Sequence, residues 1–353
     1  MSICLRGLVF TWFWVSCLAS APAQHLVACT TPDLAALSRA VGGDSVRVTS
    51  LARGTDDPHF VESRPSMVRI VNRTEVLVET GRELEIGWLP VLVGNARNPA
   101  VLAGGPGRID ASAAVRALEV PTGLVDRSYG DVHAGGSPHY LLDPLCGLQV
   151  AALLRDRFAT LWPAERGVFA ANFSKFREDM AIAMVGKDMA ALYENDAEKL
   201  GLLFGAGTLS DVLRAQGDLA RLGGWFAAMS PLRGKQFVAD HDLWPYFAER
   251  FGLRVAGFFE PKPGVAPTTA HLEALVQRMR TGGITAILSA PYFAPQHAAL
   301  VARATGARIA AMVHQPGAVP GTEHYIAFVD YNVRAVVDAL QPMRDAANRD
   351  TTK

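Results

Sequence analysis

Charge and cysteine are both scarce in this sequence. Of 353 residues, 19% are charged and 50% hydrophobic, and 34 Lys+Arg against 34 Asp+Glu leave no net charge. A nucleic-acid binder working through a basic surface is excluded by that balance. The 32 Gly and 21 Pro are spread along the chain, which excludes a coiled coil, a collagen and a disordered tail. After the first 23 residues no run reaches the ~20 apolar residues of a membrane-spanning helix. Neither HExxH nor a GxSxG nucleophile elbow occurs. Gly205-Ala206-Gly207 has no preceding strand and no acidic residue following at the right distance, so it is not a dinucleotide fingerprint.

The opening segment is of a different kind. Arg6 precedes an apolar stretch from Gly7 to Ala19, and Ala21-Pro22-Ala23 forms a small-x-small cleavage site. Residues 1–23 therefore read as a secretory signal, and the mature chain as soluble and exported. A lipid anchor on Cys17 is the weaker reading, because Trp14-Val15-Ser16 makes a poor lipobox. Cys4 and Cys17 leave with the signal. Cys29 and Cys146 remain, and in an oxidising compartment the pair is expected as a disulfide, with two buried free thiols as the alternative.

From His25 onward short apolar runs alternate with helical spacing. Strands are expected at His25–Cys29, Ser45–Ser50 and Val76–Glu79, with helices at Pro32–Val41, Val68–Asn72 and Pro144–Phe158. Residues 96–109, with Gly104-Gly105-Pro106-Gly107, read as loop. After Pro163 the stretch Ala164–Leu192 has no proline and carries Phe169, Phe173, Phe176, Met180 and Met184 at helical spacing. A helix of roughly thirty residues would be about 40 Å long, a brace between two lobes. The strand–helix alternation resumes with strands at Gln236–Ala239, Leu253–Phe259, Ala286–Ser289 and Arg308–Val313. Helices are expected at Asp242–Phe251, His271–Arg280, Gln296–Thr305 and Glu323–Leu340. Such alternation predicts an α/β protein of parallel sheets flanked by helices, in two lobes around a cleft.

Nine histidines occur. His59, His139, His241 and His314 each stand after a predicted strand or before a predicted helix, two per lobe, where an open α/β fold faces its cleft. Imidazole suits zinc and other late divalent ions, and three or four such nitrogens make a tetrahedral site. Each could equally be a surface or capping residue. His25 is at the expected mature N-terminus, and His271, His297 and His324 read as solvated. His133, in the glycine-flanked Asp131-Val132-His133-Ala134-Gly135-Gly136, reads as a loop residue that either delivers metal or has no role, the second being favoured.

The segments DPHFVESRPS, SPHYLLDP, FVADHDLWPYFAERFGL and YIAFVDYNVRAVVDAL, in that order, resemble the zinc/manganese solute-binding proteins of ABC importers, the cluster A-I family. The resemblance runs from about Leu26 to Leu340. It implies two lobes of parallel sheet flanked by helices, joined by one long rigid helix, with the metal in the interlobe cleft. It also implies these bounds: an N-terminal lobe at 24–162, the linking helix at 163–194 and a C-terminal lobe at 233–353. Residues 195–232 look like an inserted helical segment. Position by position, His59, His139 and His241 match the family's three ligand histidines. His314 stands where the family usually has an aspartate, and the histidine-rich loop of many zinc members is missing.

With His314 as fourth ligand the donor set would be all imidazole, which favours Zn²⁺ as the transported ion over Mn²⁺. Glu62, Asp143 and Asp240 are the candidate partners for orienting the rings. The resemblance implies periplasmic capture and delivery to the importer's membrane permease by a monomer without enzymatic activity, with a periplasmic metallochaperone as a further partner. Two other readings stay open: an exported zinc hydrolase, if an open metal position remained, and a surface adhesin on the same fold.

Overall fold

A computed structural model describes residues 24–123, 133–262 and 264–341. The expected signal segment and Cys17 fall outside that range. No described helix is long and apolar enough to cross a membrane.

The N-terminal half contains β1 (His25–Cys29), α1 (Pro32–Gly42), β2 (Val46–Ser50), α2 (Pro65–Arg73), β3 (Val76–Glu79), α3 (Leu89–Ala96), β4 (Arg108–Asp110) and α4 (Pro144–Leu161). Its four strands are all parallel, in the order β2-β1-β3-β4. Strands buried on both faces are what the apolar runs VLVE and HLVAC signal. The segment expected to be wholly loop at 96–109 differs: a 3-10 turn at Pro99–Val101 leads into β4, an edge strand too short to read from its sequence.

Next come α5 (Arg166–Val185), α6 (Lys187–Leu192), α7 (Ala197–Gly205), α8 (Leu209–Gln216) and α9 (Gly224–Met229). The brace is thus shorter than expected, 20 residues and roughly 30 Å. It ends at Gly186, whose φ of 84° is a left-handed conformation open to glycine. A Cβ there would lie 3.1 Å from Gly223 Cα, so the chain also needs glycine for close approach. The C-terminal half adds β5 (Gln236–Ala239), α10 (Pro245–Phe251), β6 (Arg254–Phe258), α11 (Thr269–Gly282), β7 (Ala286–Ser289), α12 (Pro295–Thr305), β8 (Arg308–Ala311) and α13 (Tyr325–Leu340). These strands are also all parallel, in the order β6-β5-β7-β8. The helix expected from Asp242 begins only at Pro245, since the residue before a proline is pushed away from the α conformation. His241 therefore sits in a turn.

One contiguous core runs through both halves. Cys29 and Leu37 from the first sheet and its helix join Phe173 and Met180 of α5, then Phe237 and Ala239 of β5. α5 packs against α1 and α4 on one side and α9 and α13 on the other. Each sheet's other face has its own smaller core, under α2 and α3 in one lobe and α11 and α12 in the other. The lobes are thereby fixed at their base, and their strand ends face each other.

The expected disulfide is absent. Cys29 and Cys146 are buried free thiols. Cys29 Sγ is turned to Ser38 Oγ, 3.3 Å away in α1, and burial pushes its pKa up to about 12. Cys146 lies in the first turn of α4, with its pKa raised by burial and by the nearby Asp143.

Candidate metal centre

His59, His139, His241 and His314, far apart in sequence, come together at the mouth of the two sheets. His59 lies in the turn beyond β2, where the Trp88 indole donates to the Pro58 carbonyl at 2.9 Å. His139 precedes α4, and Arg82 fixes the approach by donating to the Ser137 carbonyl at 3.1 Å. His241 follows β5. The Asp240 carboxylate before it accepts from the Ala290 N–H at 2.9 Å, and Phe293 stacks on the ring with centroids 5.7 Å apart. His314 lies beyond β8, next to Val313, whose N–H and C=O are both bonded by the Asn332 side chain at 2.8 Å.

Ring centroids separate His59 from His139 by 5.2 Å and from His241 by 5.9 Å, His139 from His241 by 6.4 Å, and His139 from His314 by 4.9 Å. A fifth ring, His133, stands 5.3 Å from His59, with the two Nε2 atoms 3.3 Å apart. One nitrogen each from His59, His133 and His139 lie within 4.8 Å of one another. In sequence a loop histidine among glycines shows nothing of what it faces, which is why no role, rather than delivery of metal, is the favoured reading there for His133. The other four histidines lie elsewhere: His25 stacks on Trp162, His271 bonds the Phe258 carbonyl, His297 is in α12 and His324 precedes α13.

Each ring of the expected set has one nitrogen engaged, two by carboxylates and two by each other. Asp57 Oδ1 lies 2.8 Å from His59 Nδ1, Glu260 Oε2 lies 2.6 Å from His241 Nδ1, and His314 Nε2 lies 3.1 Å from His139 Nδ1. A carboxylate at Nδ1 keeps the proton there and leaves Nε2 with its lone pair. The expected orienting partners are elsewhere. Glu62 is exposed, Asp143 pairs with Arg250 and caps α4, and Asp240 ties β5 to β7. Asp57 was within reach of sequence reasoning, two residues before His59. Glu260 was not, since it enters from β6.

The nitrogen His139 Nε2 is buried and has no hydrogen-bond partner. Burial, followed by repulsion from neighbouring rings, pushes the pKa of His139 well down, that of His133 to about 4 and that of His314 to about 3. These imidazoles stay neutral near pH 7, the state that donates a lone pair to a cation. Burial raises the Asp57 carboxyl, but the His59 ring outweighs it and holds Asp57 below the usual range. A cluster of imidazoles in which two buried nitrogens, His139 Nε2 and His314 Nδ1, have no partner and two rings are backed by carboxylates fits a late divalent ion.

The zinc-uptake complex component A (ZnuA) periplasmic family model matches residues 27–184 and 214–339, leaving part of the inserted segment unmatched. The high-affinity zinc uptake protein ZnuA of Brucella abortus is 33% identical over 82 residues, 23% of this chain and 25% of the relative. The chain thus aligns with about a quarter of that relative's length. ZnuA of Paracoccus denitrificans is 23% identical over 330 residues, covering 88% of this chain and 90% of the relative. A crystal structure of ZnuA has the same fold, with a TM-score of 0.66 at 19% identity over 90% of this chain and all of the other.

Proposed function

Because the chain belongs to the periplasmic zinc-uptake component A family, we propose that it captures a divalent metal ion outside the cytoplasm and hands it to an ABC importer. The ion is held by His59, His139 and His241, with His314 in the same centre. The orphaned His139 Nε2, buried among the other imidazoles of the centre, carries this reading. A buried polar atom without a partner is costly, and a metal ion is the partner this pocket suits. Zinc is the cargo, because an imidazole set favours it over Mn²⁺, which prefers oxygen donors.

The chain acts as a binding protein and not as an enzyme. Asp57 and Glu260, the carboxylates bonded to the rings, are engaged in orienting them, which leaves neither free as a general base. The described residues within 24–162 and 233–353 make the two lobes, those of 163–194 the link and those of 195–232 an inserted helical layer against it. The receiving partner is the importer's membrane permease, in keeping with the family's description as a component of an uptake complex. A periplasmic metallochaperone is a further donor, and the protein works as an exported monomer. Metal analysis of protein purified without added metal tests the proposal. One zinc per chain, removed by strong chelators and restored on titration, is expected. Protein that takes up no stoichiometric metal would refute it.

A further inference from the structure

We infer that His133 supplies the fourth metal-binding nitrogen of this centre, and that His314 stands one step back and holds His139 in position. The inference rests on the metal-capture reading above. A tetrahedral zinc with bonds of about 2.0–2.1 Å sets its nitrogens about 3.3 Å apart. His59 Nε2 and His133 Nε2 are at that separation, and His139 joins them in the group of three donors lying within 4.8 Å of one another. Neither His241 nor His314 belongs to that group, and the two differ in what engages them: a carboxylate backs His241, whereas His314 is bonded to another ring of the centre. His314 Nε2 is spent on His139 Nδ1 and its Nδ1 is buried without a hydrogen-bond partner, so the contact it makes with the centre runs through His139. That is the same relation Asp57 has to His59 and Glu260 to His241.

His133 is held in place by its surroundings. The Ala134 N–H donates to Glu83 Oε2 at 3.1 Å, and the Gly136 N–H closes a turn onto the His133 carbonyl at 3.1 Å. Arg82 and Glu83 both have positive φ, at 50° and 66°, an uncommon conformation for such residues. One strained turn beyond β3 thus fixes both the His133 loop and, through the Ser137 carbonyl, the approach to His139. Three of the four direct donors then come from the N-terminal lobe, and His241 is the one contributed by the other.

Co²⁺ and Zn²⁺ titrations of the full protein distinguish the two roles, because the visible bands of Co²⁺ report coordination number. The parent is expected to bind one Co²⁺ with the intense bands of a four-coordinate site. His133→Ala and His133→Asn should lose that intensity as water enters. Their zinc affinity should fall by at least the roughly 10–100-fold typical of losing an outer partner. His314→Ala should keep the four-coordinate bands while weakening zinc by roughly 10–100-fold. His314→Asp should recover affinity, because a carboxylate accepts from His139 Nδ1 as Asp57 does from His59, and should gain no preference for Mn²⁺. Parent-like spectra and affinity in both His133 variants would overturn the assignment. So would loss of the four-coordinate bands in His314→Ala, or a gain of Mn²⁺ binding in His314→Asp. A parent that takes up neither ion overturns the capture reading, and this assignment with it.

Discussion

Glu260 stands beside His241 because of the register between two strands. β5 and β6 pair with an offset that shifts between Phe237 and Val238, so that Val238 faces Gly257 and Ala239 faces Phe258. Continued two residues past the strand ends, that shifted register brings His241 level with Glu260, and the carboxylate reaches Nδ1 at 2.6 Å. Without the irregularity the neighbour would be Phe259. The bulge thus selects a carboxylate for the ring, in line with the tendency of bulges to re-aim side chains next to functional sites.

Glu260→Gln is expected to weaken zinc by roughly 10–100-fold, as is usual for outer-shell partners. The amide oxygen can still accept from Nδ1 but no longer supplies charge. Asp57→Asn should act alike through His59. Competition titrations against a chelator of known affinity measure both. Parent affinity in the two variants would show that the carboxylates only pack against the rings.

Much of this arrangement can be read in the sequence, for identifiable reasons. Parallel strands buried on both faces appear as apolar runs, so β1, β3, β5 and β7 stand out, whereas the three-residue edge strand β4 does not. The four histidines could be nominated because each lies just beyond a strand or ahead of a helix. Their roles could not, because that depends on which ring nitrogen faces which neighbour. The loop that brings His133 to His59 and the register that brings Glu260 to His241 are set by tertiary contacts with no periodicity. The break at Gly186 was visible as a glycine but not as a helix end, since its close approach to Gly223 lies outside the local pattern.

His59→Ala, His139→Ala and His241→Ala are each expected to abolish stoichiometric zinc binding while leaving the fold intact. The residues lie on turns outside every strand and helix, so their truncation leaves the apolar packing between those elements in place. Circular dichroism should be unchanged, and metal analysis should find the variants empty. Retention of one zinc by any of them would remove that residue from the donor set.

Gly54 tests how closely the lobes must approach. A Cβ at this position would fall 2.4 Å from the Ala318 nitrogen and 2.6 Å from both the Pro316 oxygen and the Gly317 carbonyl carbon, just beyond His314. Those atoms belong to the opposite lobe and to backbone, which cannot swing aside as a side chain can. Gly54→Ala should therefore oppose closure at an overpacking cost of about 1–3 kcal/mol. That corresponds to roughly 5- to 150-fold in zinc affinity. Small-angle scattering should show a larger radius of gyration for the variant. Parent affinity and dimensions would mean that the contact yields freely.

Arg250 and Asp143 form a buried ion pair, with side chains 12% and 5% exposed, and the carboxylate also caps α4. Breaking such a pair from one side leaves a buried charge uncompensated, at a cost of about 3–5 kcal/mol. Arg250→Met should lower stability to urea by that order while leaving the metal centre's composition unchanged. Equal stability of parent and variant would show that solvent reaches Asp143.

Glu85 makes stability depend on pH. Its carboxylate, 3% exposed, accepts from Thr30 Oγ1 at 2.6 Å, the Thr80 N–H at 2.7 Å and the Gly81 N–H at 3.2 Å, joining the ends of β1 and β3. Burial outweighs these bonds and lifts its pKa from 4.5 to about 7. Between those values the folded chain holds a proton that the unfolded chain has released. This contribution is fully present below pH 4.5 and is lost as the pH rises through 7, changing by at most about 1.4 kcal/mol per pH unit. Glu85→Gln cannot titrate, and its amide N–H₂ opposes one of the donors, so the variant should be less stable throughout. The parent's advantage should widen as pH falls from about 8 to about 5, since only the parent gains a proton on folding. Urea unfolding of the metal-free proteins across that range isolates the effect, because the buried histidines titrate alike in both. A gap that stays constant with pH would mean that Glu85 remains ionised in the folded protein.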